Sequence, residues 1–115
     1  MTPQEICYAS AWQLGPLISN QEISPVDVVE AHLKRIEETE PVLNSFITLL
    51  ADEALSSAKR LESEIVHGKY RSPLHGIPVG LKDLFNTGGV RTTSGSRIFD
   101  RYIPTEDCTV AARFN

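Results

Sequence analysis

Hydrophobic residues recur every three or four positions in two stretches near the start of the chain, which is the spacing of an amphipathic helix. The first stretch begins at residues 2–5, TPQE, where a threonine cap, a proline and a glutamate match a helix start. Because proline lacks an N–H group, we expect a break or kink near Gly15-Pro16. The second stretch begins at residues 24–27, SPVD, and should end before Pro41. Its buried face should consist of Val26, Val29, Leu33 and Ile36.

The middle of the chain alternates between extended and helical patterns. Residues 43–50, LNSFITLL, are rich in β-branched and aromatic side chains, which predicts a strand. Residues 51–66 carry a helical apolar face, and Gly68 suits a left-handed cap after that helix. The apolar run at residues 77–82, IPVGLK, predicts a short buried strand. A last helix should start near Asp107 and reach Phe114.

Composition narrows the kind of protein. Hydrophobic residues make up 41% of the 115 residues, which favours a packed core. The formal net charge of −4 argues against direct nucleic-acid binding as the main activity. No apolar run reaches the roughly 18 residues that span a membrane, and no signal peptide is evident. We therefore expect a cytoplasmic protein without a membrane segment, with Cys7 and Cys108 as unpaired thiols.

Several familiar sites are absent from the sequence. Gly89 and Gly95 are separated by five residues and followed by Ser-Arg, which does not fit a phosphate-binding P-loop. There is no C-x-x-C, H-x-x-x-H, G-x-G-x-x-G or G-x-S-x-G sequence, so neither a metal nor a cofactor is predicted. The three histidines are scattered, which favours surface or packing roles for His32, His67 and His75.

Lys82 is the candidate that remains. A lysine at the end of an apolar run ordinarily reaches water or pairs with an acid. A lysine held among apolar groups can instead lose its proton near neutral pH and act as a base. Strand alternation would put Lys82 on the face of Gly80, at the C-terminal end of the strand, with Asp83 pointing away. We expect no carboxylate within ion-pair range, because an acid would stabilise the ammonium form.

Three segments together resemble the amidase signature family. They are residues 23–59, residues 73–98 with the sequence PLHGIPVGLKDLFNTGGVRTTSGSRI, and residues 102–114 with the sequence YIPTEDCTVAARF. The resemblance covers essentially the whole chain. It implies a mixed-sheet α/β fold of which this chain holds only the N-terminal helices and first strands. Residues 1–115 would be the N-terminal portion of a single amidase domain, with a helical arm over 1–40 and the start of the α/β core over 41–115.

The resemblance also implies a reaction. The family hydrolyses amides with a Ser, cis-Ser, Lys triad, and Lys82 matches its lysine by position. Both serines would lie downstream of residue 115, so the serines within residues 92–96, TTSGS, are given no catalytic role. This hydroxyl-rich motif is expected to form a turn whose hydroxyls bond to local backbone groups. The implied substrate is a small amide, no cofactor is required, and the isolated chain should be inactive.

Two alternatives stay open. One is the A subunit of a glutamyl/aspartyl-tRNA amidotransferase, which shares the scaffold, releases ammonia from glutamine and works with partner subunits. The other is a complete, non-catalytic interaction module, which should expose few apolar groups. An amidase fragment should instead expose a large apolar patch, because one face of the strand at 77–82 would await missing helices.

Overall fold

The computed structural model describes residues 1–115 as helices joined by loops, with no β-strand. The chain divides into two compact units, residues 1–78 and residues 79–115. None of the helices combines the length and the apolar composition needed to cross a membrane. The elements are α1 (Pro3–Tyr8), α2 (Ala11–Ser19), α3 (Pro25–Leu43), α4 (Ala51–Val66), a 3-10 turn (Arg97–Phe99) and α5 (Thr109–Phe114).

Capping boxes begin the first three helices, and they confirm the two helix starts predicted from sequence. The Thr2 hydroxyl accepts from the backbone N–H of Glu5 at 3.2 Å, and the Glu5 carboxylate accepts from the Thr2 N–H at 2.7 Å. At the start of α3 the Ser24 hydroxyl accepts from the Val26 N–H at 2.9 Å, and the Asp27 carboxylate accepts from the Ser24 N–H at 3.3 Å, which completes a second capping box. Ser10 forms a third capping box with Gln13, which separates α2 from α1. This third cap was not predicted.

Two prolines lie inside helices: α2 continues through Pro16, where no break occurs, and α3 continues past Pro41, where the predicted end is wrong. Pro16 lies within α2, and it removes only the hydrogen bond to Trp12, one turn from the helix start. Pro41 lies in the last turn of α3, which ends two residues later at Leu43. The helix stops at Asn44, whose left-handed backbone (φ 48°) closes the turn through an N–H bond to the Glu40 carbonyl at 2.9 Å.

The core of the first unit forms where α1 and α4 each pack against α3. Ile18 and Val28 are fully buried at its centre. The predicted apolar face of α3 is rotated from the observed one: Val28, Val29 and Ala31 are buried, whereas Leu33 and Ile36 are only half-buried. The buried cluster is Ile6, Leu14, Ile18, Val28, Ala31 and Ile65.

Helix α4 has the predicted bounds and the predicted C-cap. Gly68 has a φ of +79°, and the N–H of Lys69 donates to the Glu64 carbonyl at 2.8 Å, which closes a Schellman-type turn. The following loop is tied back to α4 by His75, which is 4% exposed. Its Nε2 donates to the Leu61 carbonyl at 2.9 Å, and its Nδ1 accepts from the Arg71 N–H at 3.1 Å.

The predicted strands at residues 43–50 and 77–82 are wrong. A strand forms only where a neighbouring backbone pairs with it, and neither segment has such a neighbour within the chain. Residues 41–43 belong to α3, and the backbone N–H groups of residues 79–82 donate no hydrogen bond. The β part of the predicted α/β class therefore has no counterpart in these 115 residues.

The second unit is mostly loop, held by hydrogen bonds between distant turns. The N–H of Gly88 donates to the Asp107 carboxylate at 2.7 Å, and the N–H of Thr92 donates to the Tyr102 carbonyl at 3.0 Å. The predicted last helix is confirmed as α5, which starts two residues after Asp107.

Candidate active site

Lys82 lies in an irregular loop of the second unit, and its side chain is exposed. Its backbone is fixed more firmly than its side chain. The Lys82 carbonyl accepts from the N–H of Leu84 at 2.7 Å and from the N–H of Phe85 at 3.0 Å, which makes Lys82 the first residue of a tight turn. A hydrogen-bonded turn thus carries a long side chain that faces solvent. The predicted place at the end of a strand is wrong, because residues 77–82 form no strand.

No carboxylate pairs with Lys82. The ion pairs of the structure join arginines to acids, and none includes this lysine. An ordinary surface lysine surrounded by water would also be exposed and without an acid partner, so this environment alone does not distinguish a catalytic base. Gly80, two residues earlier, leaves open space where a side chain would stand, with no atom within 4 Å. The exposure of the Lys82 side chain therefore leaves its amine accessible to a second group.

Asp83, the neighbour of Lys82, is directed to another turn. One carboxylate oxygen accepts from the Thr93 backbone N–H at 2.9 Å, and the other accepts from the Thr93 hydroxyl. The Asp83 carbonyl accepts from the Ser94 N–H at 2.7 Å. We call this set of bonds the Asp83–Thr93 clasp. It joins the turn that begins at Lys82 to the turn at residues 93–96.

The turn at residues 93–96 has an unusual backbone that the clasp supports. Ser94 and Gly95 have φ angles of 52° and 65°, as in a type I′ turn, and the Ser96 N–H donates to the Thr93 carbonyl at 2.9 Å. A serine at positive φ is strained, so hydrogen bonds must hold it. Thr93, 5% exposed, supplies one more bond, since its hydroxyl oxygen accepts from the Gly95 N–H at 3.1 Å.

These bonds change the acidity of Asp83. The side-chain and backbone hydrogen bonds from Thr93 hold the pKa of the Asp83 carboxyl below its ordinary value of 3.8, with smaller contributions from the Gly95 N–H and the charge of Arg91. Asp83 therefore remains ionised at neutral pH, with its charge turned toward Thr93. Arg91 is itself held by the side chain and the carbonyl of Asp100.

The hydroxyl residues of TTSGS stabilise local backbone, as the sequence indicated. Thr92 donates its hydroxyl to the Val90 carbonyl at 3.1 Å, and the Ser96 hydroxyl accepts from the Ile98 N–H at 3.2 Å at the start of the 3-10 turn. Neither hydroxyl approaches a base within the second unit. The structure thus gives these residues a supporting role.

The histidines do not form a site. His32 and His67 each direct Nδ1 at the carbonyl four residues earlier in their own helix, at 2.8 Å and 2.7 Å. Both ring nitrogens of His75 are occupied by backbone groups. Cys7 and Cys108 are free thiols, and no group of three His, Cys, Asp or Glu side chains is placed to hold a metal ion.

The clasp was not predicted from the sequence. Asp83 was considered only as a possible partner of Lys82, and Thr93 only as part of a hydroxyl-rich motif. The two residues are ten positions apart and belong to no periodic element. The available signal was the threonine two residues before Gly95 in a turn motif, since such a hydroxyl often bonds to nearby backbone or an acid.

Comparison with known proteins identifies the family. The family model described as Amidase matches residues 27–115, which include Lys82, Asp83 and Thr93. The chain belongs to the amidase family. The match confirms the resemblance seen in the sequence, and it covers the whole of the second unit.

Among the similar curated proteins are A subunits of glutamyl-tRNA(Gln) amidotransferase from several bacteria. The chain is 41% identical over 110 residues to the protein from Anaeromyxobacter dehalogenans, covering 96% of the chain and 22% of that relative. It is 46% identical over 101 residues to the protein from Geotalea daltonii, covering 88% of the chain and 21% of the relative. The chain thus spans about a fifth of the length of these relatives.

Proposed function

We propose that residues 1–115 form the N-terminal portion of a single amidase domain and that Lys82 is the terminal base of a Ser, cis-Ser, Lys triad. In this proposal the helical arm covers residues 1–40 and the α/β core begins at residue 41. The observation that carries the proposal is the family match across the segment that holds Lys82. Both serines would lie beyond residue 115, so the isolated chain would not hydrolyse amides.

The chemistry follows from the acidity of the three groups. A neutral Lys82 amine accepts a proton from the middle serine, which accepts the proton of the nucleophilic serine. The nucleophile attacks the amide carbonyl, backbone N–H groups stabilise the oxyanion, and the carbon–nitrogen bond breaks. The proton passes back from Lys82 to the leaving amine. Water then releases the acyl group from the serine as a carboxylic acid.

The setting of Lys82 is compatible with this role. A base must be free of a permanent counter-ion, because a carboxylate at about 4 Å stabilises the ammonium form and opposes proton acceptance. No acid pairs with Lys82, and its amine is open to approach. In the assembled site the serine hydroxyls would take the place that water has around the exposed side chain.

Exposed apolar side chains support a larger fold around the chain. Around Lys82, Val79, Leu81 and Leu84 are 47%, 37% and 48% exposed. In the first unit, Phe46 and Ile47 of the predicted strand at 43–50 are 41% and 52% exposed. Such surfaces ordinarily pack against something. They weigh against a complete interaction module, which should expose few apolar groups.

Substitution of Lys82 in the full-length protein tests the proposal. Lys82→Ala should lower kcat by at least about a hundredfold, the range lost when a general base is removed. Lys82→Arg should be equally inactive, because a guanidinium stays protonated. Lys69→Ala replaces an exposed lysine outside the site and should retain activity. Activity in Lys82→Ala comparable to the unsubstituted protein would refute the role of Lys82.

The A subunit of a tRNA-dependent amidotransferase is the second candidate function. It is favoured by the relatives, which carry that name at 41% and 46% identity. In that function the amide is the side chain of glutamine, the leaving group is ammonia, and partner subunits complete the enzyme. The triad chemistry at Lys82 is the same in both cases.

A substrate comparison separates the two functions. The full-length protein is assayed with glutamine and with a panel of simple aliphatic and aromatic amides, alone and after co-purification with proteins encoded beside it. Release of ammonia from glutamine that depends on the co-purified proteins supports the amidotransferase. Turnover of simple amides by the protein alone supports a general amidase.

A further inference from the structure

Asp83 is next to Lys82 in sequence, yet both of its carboxylate oxygens accept hydrogen bonds from Thr93. Adjacent side chains of opposite charge in a loop can pair at small cost, so the arrangement calls for an explanation. Thr93 is almost wholly buried, and its backbone N–H and hydroxyl both face the carboxylate. The clasp thus occupies the carboxylate of the acid that is next to the lysine in sequence.

We propose that Asp83 and Thr93 are positioning residues, which orient the backbone of Lys82 and keep the Asp83 carboxylate from pairing with its amine. The proposal rests on the role of Lys82 as the base given above. In this proposal Thr93 supports proton transfer at Lys82 indirectly, by holding Asp83, and Thr93 itself does not touch the substrate.

The positioning follows from the hydrogen bonds on either side of Lys82. Its own carbonyl is held by the N–H groups of Leu84 and Phe85, and the next residue is held by three bonds to Thr93 and Ser94. The direction of the Lys82 side chain is set at its Cα, so these bonds determine where the amine can reach. Misplacement of a catalytic group by about 1 Å can cost a hundredfold in rate.

The electrostatic effect follows from the charges around Asp83. Its carboxylate is compensated by the hydrogen bonds of Thr93, by the Gly95 N–H and by the charge of Arg91. Lys82 is not among the groups that stabilise it. A carboxylate released from Thr93 would be free to turn toward Lys82 and favour the ammonium, which cannot accept a proton.

The full-length protein with Thr93→Val tests this. Valine keeps the branched shape and the backbone N–H but removes the hydroxyl donor. Activity should fall about tenfold to a hundredfold, and the pH-rate limb that reports deprotonation of Lys82 should move to higher pH. Thr93→Ser restores the hydroxyl and should restore both the rate and the pH limb. A purely structural role for Thr93 would change the rate without moving the limb.

Thr92→Val is the matched control. Thr92 is also buried, but its hydroxyl bonds to the Val90 carbonyl and not to Asp83. This variant should keep the rate and the pH limb of the unsubstituted protein. A Thr92→Val profile that matches Thr93→Val would overturn the proposal, since any buried threonine would then have the same effect.

The outcomes separate this inference from the proposed function. If Lys82→Ala is inactive while Thr93→Val has an unchanged rate and pH limb, the positioning role is wrong and the catalytic lysine stands. If Lys82→Ala is active, both fail. If Thr93→Val does not fold, hydrogen exchange of the unsubstituted protein provides the test instead. Slow exchange of the Thr93 and Ser94 amides supports the clasp, and exchange at the rate of free loop amides overturns the proposal.

Discussion

Each of the two units of the chain is stabilised internally, and the kind of interaction differs between them. Residues 1–78 form a set of helices around fully buried aliphatic side chains, with Ile18 and Val28 at the centre. Residues 79–115 have two short helical elements, and of their apolar side chains only those of Pro104 and Ala111 are buried. Their order comes from hydrogen bonds between turns. Burial thus organises the first unit, and polar contacts organise the unit that holds Lys82.

The difference bears on precision near the candidate site. Hydrophobic burial is non-directional, so it fixes which faces meet but tolerates small shifts. Hydrogen bonds depend steeply on angle and distance, so a loop tied by them holds particular atoms in place. A loop that must aim one amine benefits from the second kind of order. The comparison predicts that core substitutions change the stability of the first unit most, whereas clasp substitutions act mainly on geometry.

The largest loss of stability is expected from a substitution in the buried core of the first unit. Ile18→Ala removes three methyl or methylene groups from a fully buried position and should destabilise the chain by about 4 kcal/mol. Ile98→Ala makes the same chemical change in the second unit, where the isoleucine is 88% exposed, and should cost less than about 0.5 kcal/mol. Urea unfolding followed by circular dichroism measures both. Equal losses would show that burial does not distinguish the two regions.

The same division explains which parts of the fold could be predicted from sequence. In the first unit the caps at Thr2 and Ser24, the bounds of α4 and the left-handed Gly68 were all predicted, because local spacing encodes them. At Pro16 the missing N–H was given too much weight, and at Pro41 the tendency of the residue before a proline to avoid the helical region was given too much weight. The predicted strands failed for another reason: pairing depends on a second segment, and the pattern of one segment cannot supply it.

In the second unit the sequence identified Lys82 as a candidate site residue but did not identify the Asp83–Thr93 clasp beside it. Lys82 was selected from its position in an apolar run and from family resemblance. The clasp depends on a contact between turns ten residues apart, and no periodicity encodes such a contact. The hydroxyl-rich motif indicated local hydrogen bonding, which is confirmed at Thr92 and Ser96, but the motif did not identify Asp83 as a partner.

A smaller loss of stability is expected from alanine substitutions at two glycines of the first unit, and comparing them separates backbone strain from steric contact. Gly76 has a φ of +82°, and an added Cβ would lie 2.8 Å from Cγ of the buried Pro25. Gly68 has a φ of +79° with open space around it. Gly68→Ala should cost about 1 kcal/mol from the left-handed backbone alone, and Gly76→Ala about 2–3 kcal/mol because a clash is added. Thermal unfolding compares them, and equal costs would mean that Pro25 yields without strain.

The smallest effect on stability is the pH dependence of the clasp in the second unit. The folded state lowers the pKa of Asp83 below 3.8, chiefly through the Thr93 hydroxyl and N–H. A carboxyl whose pKa is lower in the folded state stabilises that state above its unfolded pKa, and this contribution is lost as pH falls through the folded pKa. Solvent screening keeps the contribution small at this partly exposed group.

Carbon-13 NMR of the Asp83 carboxyl should therefore show a titration below 3.8 in the unsubstituted chain, and a higher midpoint in Thr93→Val. Thr92→Val should leave the midpoint unchanged. An Asp83 midpoint that is the same in the Thr93→Val and unsubstituted chains would mean that Thr93 does not hold the carboxylate in solution, and the second unit would then lack the polar order that distinguishes it from the first.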